Sequence, residues 1–161
     1  MQGLPSKQNL KRELVELLQA DLDALARAHK ATREGATHEE AKPENDKDTR
    51  ALEQSYLARG QAMRVEELTD SVLEVQSMRL RQFSAEDPVA LGALVSVLDG
   101  DQPRCFFMAP QGGGATLAEG RVQVITPRSP VGRALIGKTV GDECALKVAG
   151  KTRELEVVAI E

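Results

Sequence analysis

Six carboxylates fall within residues 34–48: Glu34, Glu39, Glu40, Glu44, Asp46 and Asp48, opposed only by Lys42 and Lys47. Oxygen-rich clusters of this kind suit a hard divalent cation such as Mg²⁺, which takes one or two protein carboxylates and completes its shell elsewhere. A charged loop between helices is more often plain solvated surface, so position decides between the two readings. Pro43 can occupy the first position of a helix, where its missing N–H costs nothing. Glu44 and Asp46 would then lie in the first turn, where the helix dipole favours negative charge by ~0.3–1 kcal/mol each. Glu44 and Asp48, four residues apart, would repel by a few tenths of a kcal/mol. A helix needing only a cap has no use for both. Other chemistry has little support. His29 and His38 stand far from any nucleophile signature, and the Gly112–Gly114 run lacks the Lys-Ser/Thr of a phosphate loop. Cys105 and Cys144 have no ligand-like spacing and read as small buried thiols.

The elements that must position this cluster follow from periodicity. From Ser6 to about Arg33 there is no Gly or Pro, and Leu10, Leu14, Leu17, Leu18, Leu22 and Leu25 fall on one helical stripe. Ser6 can cap its start and Gly35 its end. A second helix is predicted from about Pro43 to Leu80, with Val65, Leu68, Val72 and Val75 in heptad-like steps. Gly60 inside it is either a weak point or a place of close helix approach. Two such helices joined by a loop of ~8 residues form an antiparallel hairpin, each on the order of 40 Å long. The stripes are narrow, as in a two-stranded coiled coil.

Beyond Pro88 the period changes. Residues 91–100, 103–110, 121–126, 143–150 and 152–161 read as five short strands rich in Val, Leu, Ile and Phe. The stretches 99–103 and 110–116 are turns. Ser129 and Pro130 can open a short helix that Gly137 or Gly141 ends. The fold class is α+β: a helical hairpin over residues 1–83, with its acidic tip at about 34–48, and a sheet domain over residues 84–161.

Composition narrows the functions. Of 161 residues 41% are apolar and only 2% aromatic, with net charge −4. Base stacking on aromatic side chains is therefore disfavoured, as is general polyanion binding. Arg121, Arg128, Arg133, Lys138, Lys147, Lys151 and Arg153 could still form a basic face toward DNA or RNA, although scattered bases are more often solvated surface. No run of ~18 apolar residues and no signal-peptide core is present, so a cytoplasmic protein is expected.

The stretch Ile125–Glu143, ITPRSPVGRALIGKTVGDE, resembles the C-terminal domain of the Gre family of bacterial transcript-cleavage factors. Ser129, Pro130, Gly132, Arg133, Leu135, Gly137, Lys138, Gly141 and Asp142 carry the likeness, and the order of parts agrees with it. The resemblance implies an N-terminal antiparallel coiled coil and a C-terminal FKBP-like β-domain with one short helix. It implies a monomer that docks on RNA polymerase near the secondary channel, with Ser129, Pro130, Arg133, Leu135, Gly137 and Lys138 in the docking domain. The acidic tip would reach the polymerase active centre, near the nascent RNA, and help hold a Mg²⁺ there. Polymerase itself would then cleave backtracked RNA by two-metal chemistry. At the tip, Glu44 and Asn45 match the family's Glu-Asn, with Asn45 positioning the tip. Ala41 stands where the family has a functional Asp. Glu44 is thus the first candidate for catalysis and metal binding, with Glu40, Asp46 or Asp48 as its partner. The missing Asp opens a second reading, a channel-binding inhibitor without cleavage activity. A third, prolyl isomerase, follows from the FKBP-like fold alone. It is disfavoured because Phe106 and Phe107, adjacent on one strand, face opposite ways.

Overall fold

The computed structural model describes residues 3–40 and 48–161, and for residues 36–40 and 48 the backbone alone. Two long helices, α1 (Lys7–Glu40) and α2 (Asp48–Ser77), precede six strands: β1 (Leu94–Asp99), β2 (Gln102–Met108), β3 (Thr116–Leu117), β4 (Val122–Ile125), β5 (Glu143–Val148) and β6 (Lys151–Ile160). One short helix, α3 (Pro130–Leu135), lies between β4 and β5. Contacts divide the chain into two compact units, one of Met1–Val15 with Leu73–Glu161, the other Glu16–Val72.

In the first unit the strands form one mixed sheet of order β3-β4-β2-β1-β6-β5. All neighbours are antiparallel except β2 and β4, which run parallel through Phe106↔Gln123 and Met108↔Ile125. The crossover between them carries β3, a strand the periodicity missed. With only Thr116 and Leu117, it is too short to show alternation, and the glycine run before it reads as turn. One face of the sheet holds the core. Val95, Val97, Phe106, Met108, Ile125, Leu146, Leu155 and Val157 pack there with Leu135 of α3. Phe107 is also fully buried, on the opposite face with its cross-strand partners Leu94 and Val124. The first turns of α1 and the last of α2 belong to this unit and bring Leu10, Leu14 and Val75, each 0% exposed.

Ser6 caps α1 as expected: its Oγ accepts from Asn9 N at 3.2 Å and its carbonyl from Leu10 N at 3.0 Å. The far end differs, because α1 does not stop near Arg33 but continues through Gly35 to Glu40. A Cβ placed on Gly35 would lie 3.9 Å from Gln54 Oε1, so α2 stands alongside where solvent would otherwise favour a stop. The other end of α2 comes at Ser77 rather than Leu80. There Lys11 Nζ donates to Met78 O at 2.9 Å and Lys7 Nζ donates to Arg81 O. Lysines from α1 thus satisfy carbonyls just past the α2 terminus, where the helix leaves acceptors unpaired and the dipole favours cations. Lys7 and Arg81 also lie over the Phe83 ring, 4.7 and 4.2 Å from its centre.

Further contacts tie the α1 root to the sheet. The turn between β3 and β4 holds Ala118, Glu119 and Gly120 at φ 54°, 58° and 86°. Left-handed non-glycine residues persist only where their surroundings over-determine them. Here both oxygens of Glu13 accept from Ala118 N at 3.1 Å, and Arg121 Nε donates to Ala118 O at 3.0 Å. Gly112, at φ 86°, gives α1 room: a Cβ on it would lie 2.7 Å from Leu14 Cδ1. At the β1–β2 turn Asp99 forms ion pairs with Arg104 at 3.1 Å and with Arg153 at 3.6 Å.

In the second unit α1 and α2 run side by side. Leu18 and Val72 are buried, and the half-buried positions recur at steps of three and four on both helices. Gly60 lies inside α2, and a Cβ there would meet nothing within 4 Å. It is therefore a weak point and not a close approach of helices.

Candidate functional site

Within the acidic stretch, Glu34 is exposed on α1, while Glu40, the last residue of α1, and Asp48, the first of α2, are placed by backbone alone. Glu44, Asn45 and Asp46 lie outside the described residues, as does the proposed helix start at Pro43. Among the described residues, no group of three or more His, Cys, Asp or Glu side chains forms a metal site.

The motif around α3 is fully described, and its residues divide into two groups. Ser129, Gly132, Leu135 and Gly137 build the local structure. The Ser129 Oγ accepts from Gly132 N at 3.1 Å, which makes it the N-cap, and it donates to Thr126 O at 2.8 Å. Thr126 answers with its own hydroxyl, accepting from Ser129 N at 3.2 Å. Pro130 sits at the first helical position, as its fixed φ and missing N–H allow. No side chain fits at residue 132, because a Cβ there would lie 1.7 Å from Thr126 O. Leu135 is 0% exposed and fills the sheet core. Gly137, at φ 79°, turns the chain so that its N–H reaches Val89 O at 2.9 Å, while Lys138 O accepts from Val89 N at 2.8 Å.

The motif closes on a second polar pair spaced by three. Asp142 Oδ2 accepts from Thr139 N at 2.8 Å and from its hydroxyl at 3.0 Å. These bonds hold the Asp142 carboxyl below its ordinary pKa, the backbone N–H contributing most. Asp87 does the same with Ser84 N at 2.7 Å, and its pKa is likewise lowered. The role of Thr126 was not singled out from the sequence. Its signal is the spacing Thr-x-x-Ser, which pairs with Thr-x-x-Asp at the other end of the motif.

The second group faces outward. Pro130 and Arg133 are exposed and Lys138 is half-buried, with Ile136 and Val140 exposed on the same stretch at 42% and 36%. This gives a mixed apolar and cationic surface of the kind found at protein interfaces, where Arg is enriched. The suggested basic face is smaller than a count of residues implies. Arg153 is paired with Asp99, and Arg121 holds Ala118 O and Gly3 O.

Neither cysteine is poised for chemistry. Burial raises the pKa of both Cys105 and Cys144, and the neighbour of Cys105 is the Ser96 hydroxyl at 4.0 Å. A groove of about 340 Å³ is lined by Pro103, Arg104, Cys105, Phe106, Gly120, Arg121 and Gln123. Its single aromatic residue offers little to an isomerase, and Phe107 points to the other face.

Known proteins resemble the chain along most of its length. The family description "Transcription elongation factor, GreA/GreB, C-term" matches residues 84–161, which include β1 through β6 and the α3 motif. The transcription elongation factor GreA of Rhodospirillum rubrum is 33% identical over 152 residues, covering 94% of this chain and 90% of that protein. GreA of Brucella canis is 30% identical over 139 residues, covering 86% and 78%. Among solved structures, the GreA factor homolog Gfh1 of Thermus thermophilus is 20% identical, covering 91% of this chain and 94% of its own, with a TM-score of 0.40. The match to GreA runs through both helices as well as the sheet, and the α3 motif folds as its residue types require. The chain therefore belongs to the GreA/GreB family of transcription elongation factors.

Proposed function

We propose that this elongation factor binds RNA polymerase at its secondary channel and stimulates the polymerase's own Mg²⁺-dependent cleavage of backtracked RNA, so that arrested complexes resume. The observation that carries the reading is where the acidic stretch falls in a chain of this family. Residues 41–47, with Glu44 and Asn45 in the family's places, connect the last residue of α1 to the first of α2. At ~1.5 Å per residue, helices of 34 and 30 residues are roughly 50 and 45 Å long. Such lengths suit delivery of a few side chains into a deep channel. Mg²⁺ would supply activation of the attacking oxygen and stabilisation of the leaving one. The chain's own part is to bring hard oxygen ligands, Glu44 first and Glu40, Asp46 or Asp48 beside it. The α3 surface, with Pro130, Arg133 and Lys138 presented outward, serves docking. Ser129, Leu135 and Gly137 serve it by shaping that surface.

The test is RNA shortening by a stalled elongation complex in Mg²⁺. Wild-type protein is expected to speed it, and Glu44→Ala to lower that acceleration about tenfold or more, the usual scale for a group acting on reacting atoms. Binding to polymerase should survive the substitution. No acceleration by wild type, or an unchanged rate with Glu44→Ala, defeats the proposal. Ala41, in the place of the family's Asp, favours one alternative: a channel-binding inhibitor. Inhibited initiation without RNA shortening is its signature.

A further inference from the structure

The hairpin changes character partway along its length. Within the Glu16–Val72 unit, the facing positions nearer Glu16 and Val72 are apolar: Leu18 and Val72 are buried, and Leu22, Leu25, Val65 and Leu68 half-buried. Toward the acidic stretch the same half-buried positions carry Ala51, Gln54, Ala58 and Gln61 on α2, with His29 and Thr32 on α1. By heptad spacing Gln54 and Gln61 occupy the place that Leu68 holds two repeats and one repeat later, respectively. Three atoms there, His29 Nδ1, Gln54 Oε1 and Gln61 Oε1, are shut off from solvent without a hydrogen-bond partner among the described residues. The outward side shows the opposite. Leu52, Tyr56, Leu57 and Met63 are exposed at 55, 60, 54 and 59%. Polar groups thus face inward and apolar groups face water, the reverse of what closes a hairpin.

We infer that residues 26–35 and 49–62 form a separately opening section, which parts and recloses while the rest of the chain stays folded. Opening returns water to the orphaned amides and imidazole and forfeits little burial, since the small side chains of Ala51, Ala58 and Thr32 occupy the other seam positions named. Nearer Leu18 and Val72, opening would expose leucine and valine, so the separation stops there. If the chain acts as proposed above, part of the polymerase binding energy is used to close this section. That consequence rests on the functional reading, whereas the opening itself does not.

Hydrogen–deuterium exchange of the free full-length chain, read by peptide mass spectrometry, tests the inference. Backbone amides of residues 26–35 and 49–62 are expected to exchange at least about tenfold faster than those of residues 14–22 and 66–75. The double variant Gln54→Leu/Gln61→Leu should slow them by about tenfold or more and leave β1 and β6 unchanged. Gln and Leu have nearly equal helix propensity, so the change reports the seam. His29→Leu should act in the same direction, and it replaces the double variant if that chain loses protection in β1 and β6. Uniform exchange along both helices in wild type overturns the inference, as does unchanged exchange in a variant with an intact sheet. Loss of RNA cleavage by the wild-type protein would leave this result standing, because the exchange measurement involves no polymerase.

Discussion

Substitution of Gly132 by alanine tests whether the α3 motif is shaped by steric necessity. The added methyl would meet Thr126 O at 1.7 Å, Thr126 C at 2.7 Å and Ser129 Oγ at 2.9 Å. Two of these neighbours are backbone atoms, which cannot swing away, so α3 must shift by on the order of 1.5 Å to restore ordinary contact. The shift breaks the Ser129 cap, a loss of ~1 kcal/mol, and adds overpacking strain of ~1–3 kcal/mol. Together the expected cost is about 2–4 kcal/mol. A urea slope of about 2 kcal/mol per molar, the middle of the usual range for small proteins, converts this into a midpoint lowered by about 1–2 M. Cys144 is a built-in reporter, since it is 7% exposed and packs in the same core as Leu135. Its alkylation, followed by peptide mass spectrometry against urea concentration, reads the displacement of α3 directly. Gly137→Ala supplies the comparison. Gly137 has φ 79° and open space for a Cβ, so only backbone strain of about 1 kcal/mol is expected there. A Gly132→Ala midpoint within about 0.3 M of wild type would refute the steric argument. So would a larger loss for Gly137→Ala than for Gly132→Ala.

Asp142 has a folded pKa below its unfolded value, so its bond to Thr139 stabilises the fold above about pH 4 and the benefit disappears as pH falls through the folded pKa. Asp142→Asn should accordingly be less stable than wild type at neutral pH, with the gap closing as pH falls below the ordinary Asp value of about 4 and through the lowered folded pKa. Urea midpoints across that range check this, and a constant gap would contradict it. Gly60→Ala should stabilise α2 by about 0.5–1 kcal/mol, because the methyl meets open space and the unfolded chain loses freedom. Helix ellipticity in a thermal melt reads the effect, and a lowered midpoint would show that Gly60 is needed by the packing.

The sequence was most legible where local rules act alone. Ser6 as a cap, Pro130 at a helix start and the Gly137 turn could be read from residue type, since each depends on a hydrogen bond or φ value within one turn. The change of period after Pro88 likewise located the sheet. Errors came where distant chain segments intervene. Helix α1 passes through Gly35 because α2 lies beside it, and α2 ends early where lysines from α1 meet the carbonyls of Met78 and Arg81 just past its terminus. The two-residue strand β3 exists through pairing with β4, which no local pattern announces.

The amino-acid order by itself determined the two helices, the strands with alternating burial and the capped α3, because these follow from periodicity and short-range hydrogen bonding. It also carried the family motif and the acidic stretch with Glu44 and Asn45. Tertiary structure alone decided that Gly132 is sterically required and that Glu13 holds a left-handed turn 105 residues away. It also decided that Gln54 and Gln61 face inward while Leu52 and Tyr56 face out. Those facts depend on which surfaces meet, and burial is a property of the pair of surfaces rather than of either residue.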